Sequence, residues 1–173
     1  MNTEDLTLEH GEYEIIELNG TRLLLFKTGK IYRWSKCEYW KYVPNTKNLN
    51  SGYNLIGVEQ TENNNLKLYL RHRLLAYAFL NLDIENTKTF IDHIDGNKLN
   101  NSIHNLRIVN HQQNCFNRTN AKGYYIMPNN KFKAIIGLNF KTIYLGTYDT
   151  EEEARQAYLN AKIMYHPIVN DIV

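Results

Sequence analysis

Cysteine is scarce in this sequence, and long apolar stretches are missing. The 173 residues include only two cysteines, Cys37 and Cys115, which do not form a CxxC pair. This argues against a disulfide framework and a cysteine-based zinc site, and it is typical of a reducing compartment. No run of about 18 apolar residues occurs, so no membrane span is expected. Residues 1–17 are acidic and lack a signal-peptide pattern, which predicts an intracellular protein.

The charge is distributed unevenly along the chain. Residues 67–122 hold eight Lys and Arg against four Asp and Glu, together with four of the six histidines. Residues 1–66 hold seven basic residues against nine acidic ones. The basic part is where a polyanion would be bound. A surplus of this size is equally typical of a solvated face, so both interpretations stay open.

Residues 11–66 are expected to be rich in β-strands. Short apolar runs are separated by turn formers at Asn19-Gly20 and Thr28-Gly29-Lys30, which predicts hairpins. Runs at 53–58 and 66–70 are predicted to form another strand pair. Four aromatic residues in this region either build a small core or stack on nucleic-acid bases, and the core is favoured; they are Trp34, Tyr39, Trp40 and Tyr42.

Residues 72–82 have the apolar spacing of an amphipathic helix. Arg73 near its start would contact either a phosphate or a structural partner. The next segment predicts a strand, a long loop, a second strand and a helix, over residues 91–118. Asn110 and Gln113 fit an N-cap and its partner three residues later, so the helix is expected to begin there.

The central segment carries the residues suited to chemistry. Asp92 and Asn114 offer oxygen ligands for a hard cation such as Mg²⁺, provided that strand and helix pack face to face. His93, which alternates to the other side of the strand, is suited to take a proton from water. Asn105 is placed to hydrogen-bond backbone and pin the loop.

Residues 121–173 predict a three-stranded antiparallel sheet covered by one helix. The strands are expected near residues 124–126, 131–136 and 142–145. Thr150 and Glu153 form a capping box, small residues follow on one helix face, and Pro167 would end the helix.

The stretch DHIDGNKLNN at residues 92–101, followed by NLR at 105–107 and by Asn114, resembles the HNH endonuclease family in its homing and phage-type branch. The resemblance implies a ββα-metal fold that hydrolyses double-stranded DNA to 3′-hydroxyl and 5′-phosphate ends. It also implies His93 as general base, Asp92 and Asn114 as metal ligands, and Asn105 as the central structural asparagine. One Mg²⁺ or Mn²⁺ per active site is implied, without a structural zinc. Residues 72–76, HRLLA, resemble a helix that often precedes the motif.

The C-terminal segment is similar to the ethylene-response-factor class of DNA-binding domain, in which an exposed sheet face docks on DNA. That similarity implies DNA contacts by five residues, namely Tyr125, Lys131, Lys133, Lys141 and Tyr144. Basic residues of the central segment are further candidates for DNA contacts, namely Arg73, Arg107 and Arg118.

The predicted fold class is α+β, with a β-rich region at 1–66, a nuclease core with its preceding helix at 67–120, and a DNA-binding domain at 121–173. A homing or mobile-element endonuclease is favoured over a restriction enzyme. Two other classes are a DNA-binding regulator without catalysis and a structural zinc protein using His93, His104 and His111. A monomer would nick DNA and a homodimer would cut both strands, and the sequence leaves the oligomeric state open.

Overall fold

The computed structural model describes residues 2–59, 65–110, 113–114, 121–139 and 141–166. The chain divides into two compact units, Met1–Val109 and Asn110–Val173, which are treated separately. The three-part division drawn from the sequence stays a prediction. Within the described ranges, no helix combines the length and the apolarity that crossing a membrane requires.

The first unit begins with helix α1 (Thr3–His10), followed by a four-stranded antiparallel sheet in sequential order. The strands are β1 (Tyr13–Leu18), β2 (Thr21–Phe26), β3 (Ile31–Trp34) and β4 (Trp40–Tyr42). Asn19 and Gly20 form the predicted turn between β1 and β2, since both have positive φ angles of 48° and 78°. Helix α1, which was not predicted, buries Leu6 against Trp40. Trp40 thus belongs to a core as favoured, whereas Tyr39 and Tyr42 are exposed.

A second antiparallel pair, β5 (Leu55–Glu59) and β6 (Leu66–Leu70), confirms the predicted strand pair. Helix α2 (Arg71–Phe79) follows β6 without a loop. It ends before the predicted Leu82, because Asn81 takes a left-handed conformation with φ 54° and stops the helical path.

The segment after α2 forms the predicted strand, loop and strand. Strands β7 (Phe90–His93) and β8 (Leu106–Val109) pair antiparallel, and a short 3₁₀ turn (Ile103–Asn105) precedes β8. One hydrophobic core joins the first sheet, α2 and the strands of this central segment. It contains Leu23, Leu25 and Ile31 of the first sheet, Leu74 and Leu75 of α2, and Ile91, Ile103 and Leu106 of the central segment.

The second unit contains the predicted three-stranded sheet and covering helix. Its elements are β9 (Tyr124–Ile126), β10 (Phe132–Leu138), β11 (Lys141–Tyr148) and helix α3 (Glu151–Tyr165), with β10 central in an antiparallel sheet. Tyr158 of α3 packs on Ile136 of the sheet. The Thr150–Glu153 capping box is present. Pro167, expected to end the helix, lies outside the described residues.

Candidate active site

Asp92 and His93 are neighbours on β7, so their side chains point to opposite faces of the strand. Across the ladder, Asp92 pairs with Arg107 and His93 pairs with Leu106. The two side chains accordingly contact different partners. Both residues are nearly inaccessible to solvent.

The Asp92 carboxylate forms an ion pair with Arg107. Arg107 donates from Nε and Nη2 to Asp92 Oδ2 at 2.9 Å and 2.5 Å. Charge-assisted bonds of this kind fix both side chains. Arg107, predicted to contact DNA, therefore holds the candidate metal ligand, and its DNA contact stays a prediction.

His93 lies in a pocket of rings and amides. Its Nε2 lies 3.2 Å from Asn101 Oδ1. The ring of His72 meets it edge-on with a centroid distance of 5.1 Å, and Tyr53 lies at 6.0 Å. Burial lowers the pKa of His93, although the Asn101 contact and nearby acids oppose this change. Burial also lowers the pKa of His72 to about 3, so His72 is neutral beside it.

Asn105 pins the loop between β7 and the 3₁₀ turn, as expected. Its Oδ1 accepts from the Asp95 backbone N–H at 3.0 Å, and its Nδ2 donates to Asp95 Oδ1 at 2.9 Å and to the Asn100 carbonyl at 2.8 Å. Desolvation would raise the pKa of Asp95, but hydrogen bonds from Asn100 and Asn105 lower it overall. The described contacts of Asn105 thus stabilise the loop.

The helix start predicted at Asn110 is present in the second unit. The Asn110 backbone N–H donates to Gln113 Oε1, and the Gln113 backbone N–H donates to Asn110 Oδ1, both at 2.9 Å. Asn114 is helical and half-buried. Its role as metal ligand stays a prediction from the motif. Arg118 and His111 lie outside the described residues.

Two arginines of α2 contact the backbone of neighbouring loops. Arg73, a candidate for DNA contact, donates to the Thr89 and Asn86 carbonyls at 2.8 Å and 2.7 Å. This fits the structural alternative, and its DNA contact is untested. Arg71, which belongs to none of the predicted site residues, is fully buried. It bonds Asn54 Oδ1 at 2.7 Å and the carbonyls of Gly29, Val43 and Pro44 at 2.6–3.0 Å, and burial lowers its pKa to about 10.

Three of the candidate DNA contacts come together on the exposed sheet of the second unit. Lys133 Nζ lies 5.6 Å from the Tyr125 ring centroid and 5.4 Å from that of Tyr144. Tyr125 and Tyr144 are 46% and 58% exposed. Lys131 instead pairs with Asp149 at 2.8 Å, and Lys141 lies opposite Leu138 at the β10–β11 turn.

Across the described ranges, no three side chains of His, Cys, Asp or Glu gather closely enough to hold a metal ion. Asparagine side chains, water and substrate phosphate are other oxygen donors that hard divalent cations accept.

Comparison with known proteins places the motif in context. Residues 69–115 match the family model described as HNH endonuclease. The uncharacterized HNH endonuclease L560 of Acanthamoeba polyphaga mimivirus is 43% identical over 72 residues, which cover 40% of this chain and 38% of L560. YosQ, an SPbeta prophage-derived protein of Bacillus subtilis whose name assigns it to the HNH homing endonucleases, is 44% identical over 63 residues. That match covers 36% of this chain and 35% of YosQ.

Among solved structures, the HNH homing endonuclease I-HmuI, whose structure concerns DNA binding and cleavage, matches 61% of this chain and 56% of its own. The identity is 29% and the TM-score 0.48. The comparisons do not support the ethylene-response-factor similarity of the C-terminal sheet. The chain spans less than two-fifths of the length of either curated relative. The family model confirms the resemblance of residues 69–115 to the HNH endonuclease family, and the names of both relatives assign them to HNH endonucleases.

Proposed function

We propose that this chain is a metal-dependent DNA endonuclease of the homing or mobile-element type. The observation that carries the proposal is the side-by-side placement of Asp92 and His93 on β7, each fixed by its own partner, within the region that matches the HNH family. The substrate would be double-stranded DNA, as the motif implies.

In this proposal His93 is the general base that takes a proton from the attacking water. Asn105 keeps the loop after β7 in place, so that the base is presented by a fixed backbone. Arg107 holds the carboxylate of Asp92 in one orientation. Tyr125 and Tyr144, which are exposed, and the half-buried Lys133 beside their rings are suited to contact the DNA backbone or bases.

Asp92 and Asn114 are the residues that would hold a divalent cation. A carboxylate oxygen and an amide oxygen are hard donors, which suit Mg²⁺ or Mn²⁺ better than a thiophilic metal. For Asn114 the assignment depends on its place in the motif alone. When bound, such a cation would stabilise the charge that develops on the phosphate and on the leaving oxygen.

The proposal is tested by incubating supercoiled plasmid with the protein and Mg²⁺ or EDTA. We expect Mg²⁺-dependent nicking that His93→Ala abolishes. His104→Ala is the matched control, because His104 is an exposed histidine on the neighbouring 3₁₀ turn. The proposal is wrong if the native chain shows no metal-dependent nicking, or if His93→Ala nicks as fast as the native chain.

A further inference from the structure

We infer that Asn101, which donates a hydrogen bond to Asn45, positions the His93 ring and sets which nitrogen of that ring carries the proton. This inference deepens the proposed function and depends on it for its catalytic meaning. Asn101 and His93 are both buried, and they make one direct contact, between Asn101 Oδ1 and His93 Nε2.

The orientation of the Asn101 amide follows from its other neighbours. Asn101 Nδ2 lies 3.1 Å from the Leu99 carbonyl oxygen and 3.3 Å from Asn45 Oδ1. Asn45 Nδ2 in turn donates to the same Leu99 oxygen at 2.6 Å. A carbonyl oxygen only accepts, so both amides must direct their NH₂ groups towards Leu99. The oxygen of Asn101 is therefore the atom that faces His93.

An oxygen acceptor at this position selects one tautomer of the ring. Because Asn101 Oδ1 cannot donate, His93 Nε2 must carry the hydrogen. In the neutral imidazole the lone pair is then on Nδ1, which becomes the atom that accepts the proton from water. Asn101 thus acts through His93 and is a positioning residue.

Residues of the first sheet also contact the backbone at and after Asn101. Gly29, in the turn between β2 and β3, packs so closely that an added Cβ would lie 2.7 Å from the Asn101 carbonyl carbon. Two residues after Asn101, the Ile103 N–H donates to the Lys27 carbonyl at 2.8 Å. Asn45 follows β4, so segments before residue 60 hold both the backbone and the side chain of Asn101.

Two-bond ¹H–¹⁵N correlation spectra of ¹⁵N-histidine-labelled, metal-free protein test the inference directly, since they distinguish an Nε2–H ring from an Nδ1–H ring. His93→Gln assigns the His93 signals. We expect the Nε2–H tautomer in the native chain. Asn101→Leu is expected to lose this preference, and Asn45→Ala to weaken it. Asn100→Ala is the matched control, because the Asn100 side-chain amide donates to Asp95 rather than contacting His93. This substitution is expected to leave the His93 tautomer unchanged.

Plasmid nicking supplies the functional measurement. Asn101→Leu is expected to lower the turnover rate by about tenfold to a hundredfold, because a general base that is wrongly oriented loses part of its contribution to the rate. The KM for plasmid is expected to stay within about twofold of the native value. An Nδ1–H ring in the native chain, or an unchanged tautomer in Asn101→Leu, overturns the inference. If Asn101→Leu does not fold, the inference is decided by the His93 tautomer in the native chain and in Asn45→Ala. Asn45 is half-exposed, so its substitution is expected to leave the fold intact. Absence of nicking by the native chain with an Nε2–H ring would contradict the nuclease proposal and leave the tautomer assignment standing.

Discussion

At the scale of single residues, Asp92 and His93 show how one strand gives two neighbours different surroundings. Asp92 faces the guanidinium of Arg107 and pairs with it. His93 faces the rings of His72 and Tyr53, and its burial lowers its pKa and so favours a neutral imidazole. An oxygen ligand for a cation and a neutral base for a proton are the two groups that the proposed reaction needs.

The buried position of His93 predicts how nicking depends on pH. Its pKa is lowered from the ordinary 6.5, so the neutral, proton-accepting form persists below that pH. Initial nicking rates at saturating Mg²⁺, measured between about pH 5 and pH 8, should fall to half of their plateau only below pH 6.5. A rate that is already halved at or above pH 6.5 would contradict this prediction. His104→Ala should follow the same curve.

The ion pair between Asp92 and Arg107 predicts a cost in stability. Arg107→Ala removes the guanidinium that pairs with the buried Asp92 carboxylate, and we expect the free energy of unfolding to fall by about 3 kcal/mol. Urea denaturation followed by circular dichroism measures it. Arg22→Ala is the control: Arg22 is an exposed arginine on β2, and the change should be within about 0.5 kcal/mol. Equal effects of the two substitutions would show that the pair does not stabilise the fold.

At the scale of elements, the helix start at Thr150 gives a prediction confined to the second unit. Thr150 Oγ1 accepts from the Glu153 backbone N–H at 3.3 Å, and Glu153 Oε2 lies 3.2 Å from the Thr150 backbone N. Thr150→Ala should destabilise α3 by about 1 kcal/mol. Thr150→Asp keeps an acceptor and should lose much less. Thermal unfolding of the two variants checks this, and an equal loss in both would exclude the cap as the cause.

The elements that the sequence predicted correctly are those with a local signal. Asn19-Gly20 specifies a two-residue turn, and Asn110 with Gln113 specifies a helix start, because each interaction spans at most a few residues. The contact between His93 and Asn101 and the role of Arg71 could not be predicted in this way. Arg71 bonds atoms from Gly29 to Asn54, and nothing in its sequence neighbourhood distinguishes it from Arg73. Leu6 of helix α1 packs with Phe26, Tyr32 and Trp40, which are distant in the sequence, so this helix also depends on long-range contacts.

At the scale of the whole molecule, the first sheet and the central segment share a core. Leu23 and Ile31 pack in the same cluster as Leu74 and Leu106. We expect residues 1–109 alone to unfold cooperatively on heating. We expect residues 67–122 alone to lack a cooperative transition, because that fragment loses five of the thirteen buried residues in this cluster. Circular dichroism of the two fragments tests this. A cooperative transition in the shorter fragment would show that the motif folds without the sheet.

The close approach of Gly29 to Asn101 also bears on how chains with this motif can be recombined. A chimaera joined near residue 66 would place a foreign β-turn against the loop that holds His93, and any side chain at the Gly29 position would collide with the Asn101 backbone. A joint after residue 115, where the match to the family model ends, keeps both that contact and the whole motif within one parent. Exchange of the segments on either side, in evolution or in the laboratory, is therefore expected to tolerate crossovers after residue 115 and to reject those near residue 66.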